Sequence, residues 1–164
     1  MRYAQIREID VANGPGIRVS LYTQGCRRHC PFCFNEETWD FNGGLPFTEK
    51  EEDAIITLVN KPHIAGLTIL GGEPMEKESR PAILHLLKRV RKECPNKNIW
   101  LYSSFLYEDF KNFDEPILDY VDVLVDGMFI NDLKDPHLRF RGSSNQRLIN
   151  IPETKAKGEI VLFE

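Results

Sequence analysis

The sequence predicts a single α/β domain whose mostly parallel sheet is covered by helices. Three observations predict it. Segments with the two-residue alternation of strands are interleaved with segments of helical period. At 164 residues the chain has the length of one domain. No internal repeat, low-complexity tract or linker interrupts it, so residues 1–164 read as one unit.

The elements follow in order. Ile17, Val19 and Leu21 alternate with Arg18, Ser20 and Tyr22, which makes a strand over 17–23 with one apolar and one more polar face. Thr48 and Glu51 have capping-box spacing, and Ala54, Ile55, Leu58 and Val59 mark the buried face of the helix they start. Leu67–Leu70 is a short strand that runs into Gly71-Gly72-Glu73-Pro74. Ile83, Leu86, Leu87 and Val90 fall on one helical face, with Lys88, Arg89, Arg91 and Lys92 near the negative helix end and Pro95 as the stop. Ile99–Ser103 reads as a strand, Tyr107–Asp119 as broken helix and Val121–Asp126 as a strand. Beyond Leu138 the pattern is less regular, with short strands expected over 148–151 and 160–163.

Composition excludes several classes of function. The chain carries 25 acidic and 21 basic residues, a formal net charge of −4, which argues against a broad nucleic-acid-binding face. No apolar run approaches the ~18 residues of a membrane span. Met1–Asp10 includes Arg2, Arg7, Glu8 and Asp10 and lacks the apolar stretch of a secretory signal. The expectation is a soluble, cytoplasmic protein with no membrane and no nucleic-acid partner.

Of the four cysteines, Cys26, Cys30 and Cys33 fall within eight residues, in a C-x3-C-x2-C pattern. Three crowded cysteines cannot pair among themselves without leaving one over, and in a cytosolic chain they point to metal. Two centres suit them. Zinc would need a fourth ligand, either His29 or Cys94. A [4Fe–4S] cluster on three thiolates would instead keep one iron open for a small molecule, unlike electron-transfer clusters closed by four cysteines. Cys94, at the end of a helix, reads as a spectator thiol. Cys26, Gly71–Glu73, Tyr102-Ser103 and Asp126-Gly127 each lie where a strand ends, so the fold should gather them on the rim where parallel α/β proteins bind ligands.

These residues resemble a known family. Cys26-x3-Cys30-x2-Cys33, with Phe32 before the last cysteine and Gly71-Gly72-Glu73-Pro74 one strand later, resembles the radical S-adenosylmethionine (SAM) superfamily. Asn13-Gly-Pro-Gly16, Cys33-Phe-Asn35 with Thr38-Trp39, Asp126-Gly127 and Arg141-Gly-Ser-Ser-Asn-Gln-Arg147 narrow the resemblance to the activating proteins of anaerobic ribonucleoside-triphosphate reductase. It extends from about Asn13 to Arg147.

The resemblance implies a shortened, open (partial) radical SAM β/α barrel. It implies that Cys26, Cys30 and Cys33 hold one [4Fe–4S] cluster, whose open iron chelates the amino and carboxylate groups of SAM. An external electron, from a flavodoxin or ferredoxin-type donor, then releases a 5′-deoxyadenosyl radical that takes hydrogen from a glycine of the large reductase subunit. Phe32 is expected beside the adenine, with the backbone of Phe32, Cys33 and Phe34 reading its edge. Gly71 and Gly72, lacking a Cβ, admit the methionyl zwitterion, and Glu73 accepts from its ammonium. Ser103 and Asp126 are expected at the ribose or methionyl group. Ser104-Phe105 stands where the family usually has glycine and an aromatic residue. Arg141–Arg147 either touches SAM or the partner, or ties down the C-terminal strand, and Asn13–Gly16 is expected at the cleft mouth. Arg27-Arg28-His29 suggests a docking patch for an acidic donor. With only Cys94 left over, a second cluster is excluded. The alternatives are another single-cluster radical SAM enzyme, such as a pyruvate formate-lyase activator or a short deazaguanine synthase, and a zinc-stabilised interaction module.

Overall fold

A computed structural model describes residues 1–163. Seven strands form one sheet: β1 (Arg2–Asp10), β2 (Arg18–Gln24), β3 (Leu45–Pro46), β4 (Gly66–Gly71), β5 (Asn98–Ser103), β6 (Val123–Asp126) and β7 (Arg147–Asn150). Their spatial order is β3-β1-β2-β4-β5-β6-β7, so the sheet is open. The central strands β2, β4, β5 and β6 pair in parallel, while β1 and β7 run antiparallel to their neighbours. Three helices accompany them: α1 (Glu49–Val59), α2 (Arg80–Glu93) and α3 (Ile151–Lys157). Among the described residues no helix is long and apolar enough to cross a membrane.

The predicted central elements are present, and the reasons are local. The Thr48 backbone N–H donates to Glu51 at 3.1 Å, closing one arm of the capping box at the start of α1. Ile83, Leu86, Leu87 and Val90 of α2 pack with Ile55 and Val59 of α1 on Val19, Leu21, Leu67, Ile69, Ile99 and Leu101. The broken helix resolves into 3-10 turns over Tyr107–Asn112 and Ile117–Tyr120.

Three elements differ from the sequence reading. β1 escapes a periodicity argument because its register with β2 shifts between Tyr3 and Gln5 and again between Arg7 and Asp10, which breaks the alternation. β3 has only two residues. The strand expected over 148–151 stops at Asn150, which instead caps α3 by accepting from the Glu153 N–H at 3.1 Å. Pro152 in the first turn and Gly158 at φ 71° after the last complete a helix signature that the sequence did contain. The chain then returns, with Asn150 donating to Val161 and Phe163 donating to Leu148, both at 2.8 Å, along the outer edge of β7.

The opposite face of the sheet carries the polar set of the alternation. Arg18, Ser20 and Tyr22 of β2 are buried there rather than solvated. The segment between β6 and β7 crosses this face, and Trp100, Val123, Val125 and Leu148 pack beneath it with Tyr102 and Phe140. Arg18 has no exposure, and donates to Thr68 at 2.7 Å, to the Leu67 carbonyl at 3.0 Å and to the Pro15 carbonyl at 3.1 Å. Burial without a carboxylate partner lowers its pKa to about 10. Thr68 in turn donates to the Asn13 carbonyl at 2.7 Å, so the Asn13–Gly16 loop is pinned at the start of β2. That is the opposite end from the cysteine loop, roughly 20 Å away along the strand at ~3.3 Å per residue.

Candidate functional site

A cleft of about 600 Å³ opens on the polar face and reaches the carboxyl ends of β2, β4 and β5. It brings together Cys26, Cys30, Cys33, Phe34, Gly71, Gly72, Glu73 and Ser103, and extends to Asn13 at the far end. Phe32 and Asp126 are not among its walls.

The cysteine loop leaves β2 at Gly25 and returns at Trp39, closed by Gly25 N–H to Thr38 carbonyl at 2.7 Å and Cys26 N–H to Trp39 carbonyl at 3.2 Å. His29 (φ 47°) and Phe32 (φ 59°) both adopt left-handed backbone between the cysteines, a strained conformation held by the closed loop. Cys26 and Cys30 are buried, Cys33 is half-buried, and all three are free thiols. Burial pushes the Cys26 thiol up, opposed by the backbone N–H groups of His29 and Arg28. Burial also raises Cys30, with Cys33 adding to the shift. Phe32 is 71% exposed, and Phe34, itself 60% exposed, lines the cleft and packs on Phe129 with ring centroids 4.9 Å apart.

Arg27, Arg28 and His29 do not form one patch. Arg27 fastens the loop to the segment after Glu73: its N–H donates to Glu76 at 2.6 Å, its guanidinium pairs with Glu76 and Glu78, and it lies over Phe41 at 4.5 Å. Arg28 turns the other way, into the cleft. The His29 ring stacks on Trp39 at 4.4 Å.

The diglycine is required first by neighbouring backbone. A Cβ on Gly71, at φ +116°, would stand 2.4 Å from Thr23 N, and one on Gly72 would stand 2.5 Å from the Gly25 carbonyl oxygen. Gly71→Ala is therefore expected to cost about 3 kcal/mol or more, by forcing β2 from β4 in a conformation alanine resists. The check is the denaturant midpoint, and an unchanged midpoint would show that the strands can part freely there.

Glu73 is 2% exposed and its oxygens are spent within the chain. Oε1 accepts from the Ser104 N–H and hydroxyl, each at 2.6 Å, and Oε2 from the Met75 N–H and the Ser103 hydroxyl, each at 2.8 Å. Burial raises its pKa against these four donors. Ser104, overlooked as a site residue, is thus half of the Glu73 anchor, and its backbone is not left-handed. Asp126 has no exposure and accepts from the Tyr107 N–H at 2.8 Å and from Arg147 Nε at 3.1 Å. Tyr102 lines the cleft and donates to the Phe140 carbonyl at 2.5 Å; burial raises its pKa strongly.

Arg141–Arg147 is a knot. Gln146 accepts from the N–H groups of Gly142 and Ser143 at 3.0 and 3.1 Å and donates to the Gly127 carbonyl at 3.0 Å, while Asn145 donates to Met128 at 2.8 Å. It ties the start of β7 to the end of β6, and Arg141, Gly142 and Gln146 still face the cleft.

Comparison with known proteins agrees with this geometry. A family described as the 4Fe-4S single cluster domain matches residues 12–149. The anaerobic ribonucleoside-triphosphate reductase-activating protein of Salmonella typhimurium is 43% identical over 148 residues, covering 89% of this chain and 96% of the relative. This chain belongs to the family of reductase-activating proteins. The activating protein of Enterobacteria phage T4 is 38% identical over 148 residues, 90% of this chain and 93% of its own, and that of Haemophilus influenzae is 37% identical over 89% and 96%. Cys26, Cys30 and Cys33 are the donors this chain offers for a single cluster, although among the described residues they are not drawn together into one metal-holding group. Three free thiols of one loop line one cleft, with backbone N–H groups directed at Cys26. Cys94 is 1% exposed in the core at the end of α2, beside the start rather than the end of β5.

Proposed function

We propose that this chain activates an anaerobic ribonucleoside-triphosphate reductase by using SAM to generate the glycyl radical of its large subunit. The observation that carries this reading is the opening of the cysteine loop and the Gly71–Glu73 platform onto one cleft. Cys26, Cys30 and Cys33 would hold the [4Fe–4S] cluster. When bound, the cluster supplies the low-potential electron that breaks the sulfonium carbon–sulfur bond.

The chain's own residues bind and position. Gly71 and Gly72 keep the cleft floor close to the cysteine loop, and Glu73, saturated internally, holds Ser103 and Ser104 in place rather than accepting directly from the SAM ammonium. Phe34, on the cleft wall, takes the place beside the nucleoside that was expected for the Phe32 ring. Asp126 acts through Arg147 and Tyr107, setting the turn after β5. Ser103 lines the cleft with its hydroxyl donating to Glu73 and accepting from the Phe105 N–H. The segment between β6 and β7 shields the polar face of the sheet, consistent with an open, partial barrel in a single domain. An external flavodoxin or ferredoxin-type donor and a cytoplasmic setting complete the proposal.

The test is anaerobic reconstitution with iron and sulfide, reduction, and addition of SAM and the reductase. 5′-Deoxyadenosine and a glycyl radical signal by electron paramagnetic resonance are expected. Cys94→Ala should keep its full iron content, with the same visible spectrum. A zinc module closed by Cys94 would lose its metal in that variant.

A further inference from the structure

Arg28 differs in its partners from most arginines packed around the sheet. Arg27, Arg80, Arg89, Arg91 and Arg147 each pair with a carboxylate. Arg28 contacts the face of Phe105 at 4.6 Å and Met128 Sδ at 3.7 Å, neither of them an anion. Those contacts fix its path. Arg28 leaves the loop after β2, whereas Phe105 follows β5 and Met128 follows β6. Arg28 lines the same cleft as the three cysteines and Gly71–Glu73.

We infer that Arg28 binds the carboxylate of SAM at the methionyl end of the cleft. This rests on the radical SAM reading above, in which that carboxylate reaches the cluster. With Phe105 beside its guanidinium and one Nη1–H spent on the weak acceptor Met128 Sδ, Arg28 keeps its remaining N–H groups for a planar, two-pronged acceptor. The other cations on the cleft wall stand elsewhere: Arg7 over Tyr22 at 5.1 Å, Lys134 over Phe34 at 5.5 Å, and Arg141 bonded to the Gln146 carbonyl at 2.6 Å. Of the cations on the cleft wall, Arg28 is the one carried by the cysteine loop itself.

The test is a binding cycle on the reconstituted holoenzyme, with SAM and decarboxylated SAM titrated calorimetrically into wild type, Arg28→Gln and Arg28→Lys. Arg28→Gln should weaken SAM binding by about 10-fold, as expected for losing a charge-assisted pair, and decarboxylated SAM by less than about 2-fold. Arg28→Lys, retaining the charge without the fork, should fall between. Equal losses for the two ligands, or none, would overturn the assignment. Equal losses with a shifted cluster potential would place Arg28 with the cluster instead. A wild-type protein that loads iron but binds no SAM would overturn the underlying reading rather than this residue's role. Iron content and visible spectrum check that each variant carries the same cluster, and Arg28→Lys keeps the cycle decisive if Arg28→Gln fails to load.

Discussion

Cys30→Ala is expected to leave anaerobic reconstitution without its cluster and to form almost no 5′-deoxyadenosine. The loop offers three thiols and no spare. The fourth cysteine, Cys94, is sealed in the core beside the start of β5, and the closed loop cannot carry another sulfur into the gap. Loss of a ligand should exceed the 10–100-fold penalty typical of losing a group that merely supports one, so turnover is expected to fall by more than about 100-fold. Iron and sulfide content, visible absorbance and product formation measure it together. The fold should survive, because Cys30 lies outside the main core and the loop is closed by backbone bonds at Gly25 and Cys26. Wild-type iron content with full turnover in Cys30→Ala would remove the cysteine loop from the chemistry.

Glu73→Ala is expected to lower the stability of the folded chain by about 3–5 kcal/mol, as when one partner of a buried charged network is deleted. Alanine would strand the N–H groups of Met75 and Ser104 and both serine hydroxyls, four donors aimed at a vanished carboxylate. Glu73→Gln should cost less, because hydroxyls can turn to accept from the new amide although N–H groups cannot. The pH dependence has a definite sign. A folded pKa raised by burial gives the wild type its full contribution below the unfolded value of about 4.5 and loses it as pH climbs through the folded value. Glutamine has no such titration, so its deficit should be greatest near pH 4.5 and shrink upward. Denaturant unfolding across that range measures both variants. A midpoint for Glu73→Ala equal to the wild type's would show that the carboxylate does not hold the platform.

Legibility divides between local and non-local features. The cysteine spacing, the alternation of β2 and the capping box at Thr48 each lie within a short stretch, where the chain's own periodicity suffices to read them. β1 was hidden because its two register shifts destroy the alternation, although its nine residues make the longest strand. Asn13–Gly16 was legible as a turn but not as a place, since only the bonds through Thr68 and Arg18 show which end of the cleft it occupies.

By itself the sequence determined the α/β class, the cysteine loop and the strand ends that the cleft draws on. Spacing and periodicity are properties of contiguous residues and survive in one dimension. Tertiary structure alone decided which of those residues face the cleft. Asp126 was captured by Arg147, 21 positions away; Glu73 was spent on Ser103 and Ser104, which only the β4–β5 pairing brings near. In the cysteine loop Phe32 stands exposed and Phe34 lines the cleft wall. Each outcome is a competition among donors, acceptors and rings that meet only after the strands are ordered, and strand order is set by burial of the whole sheet rather than by any one segment.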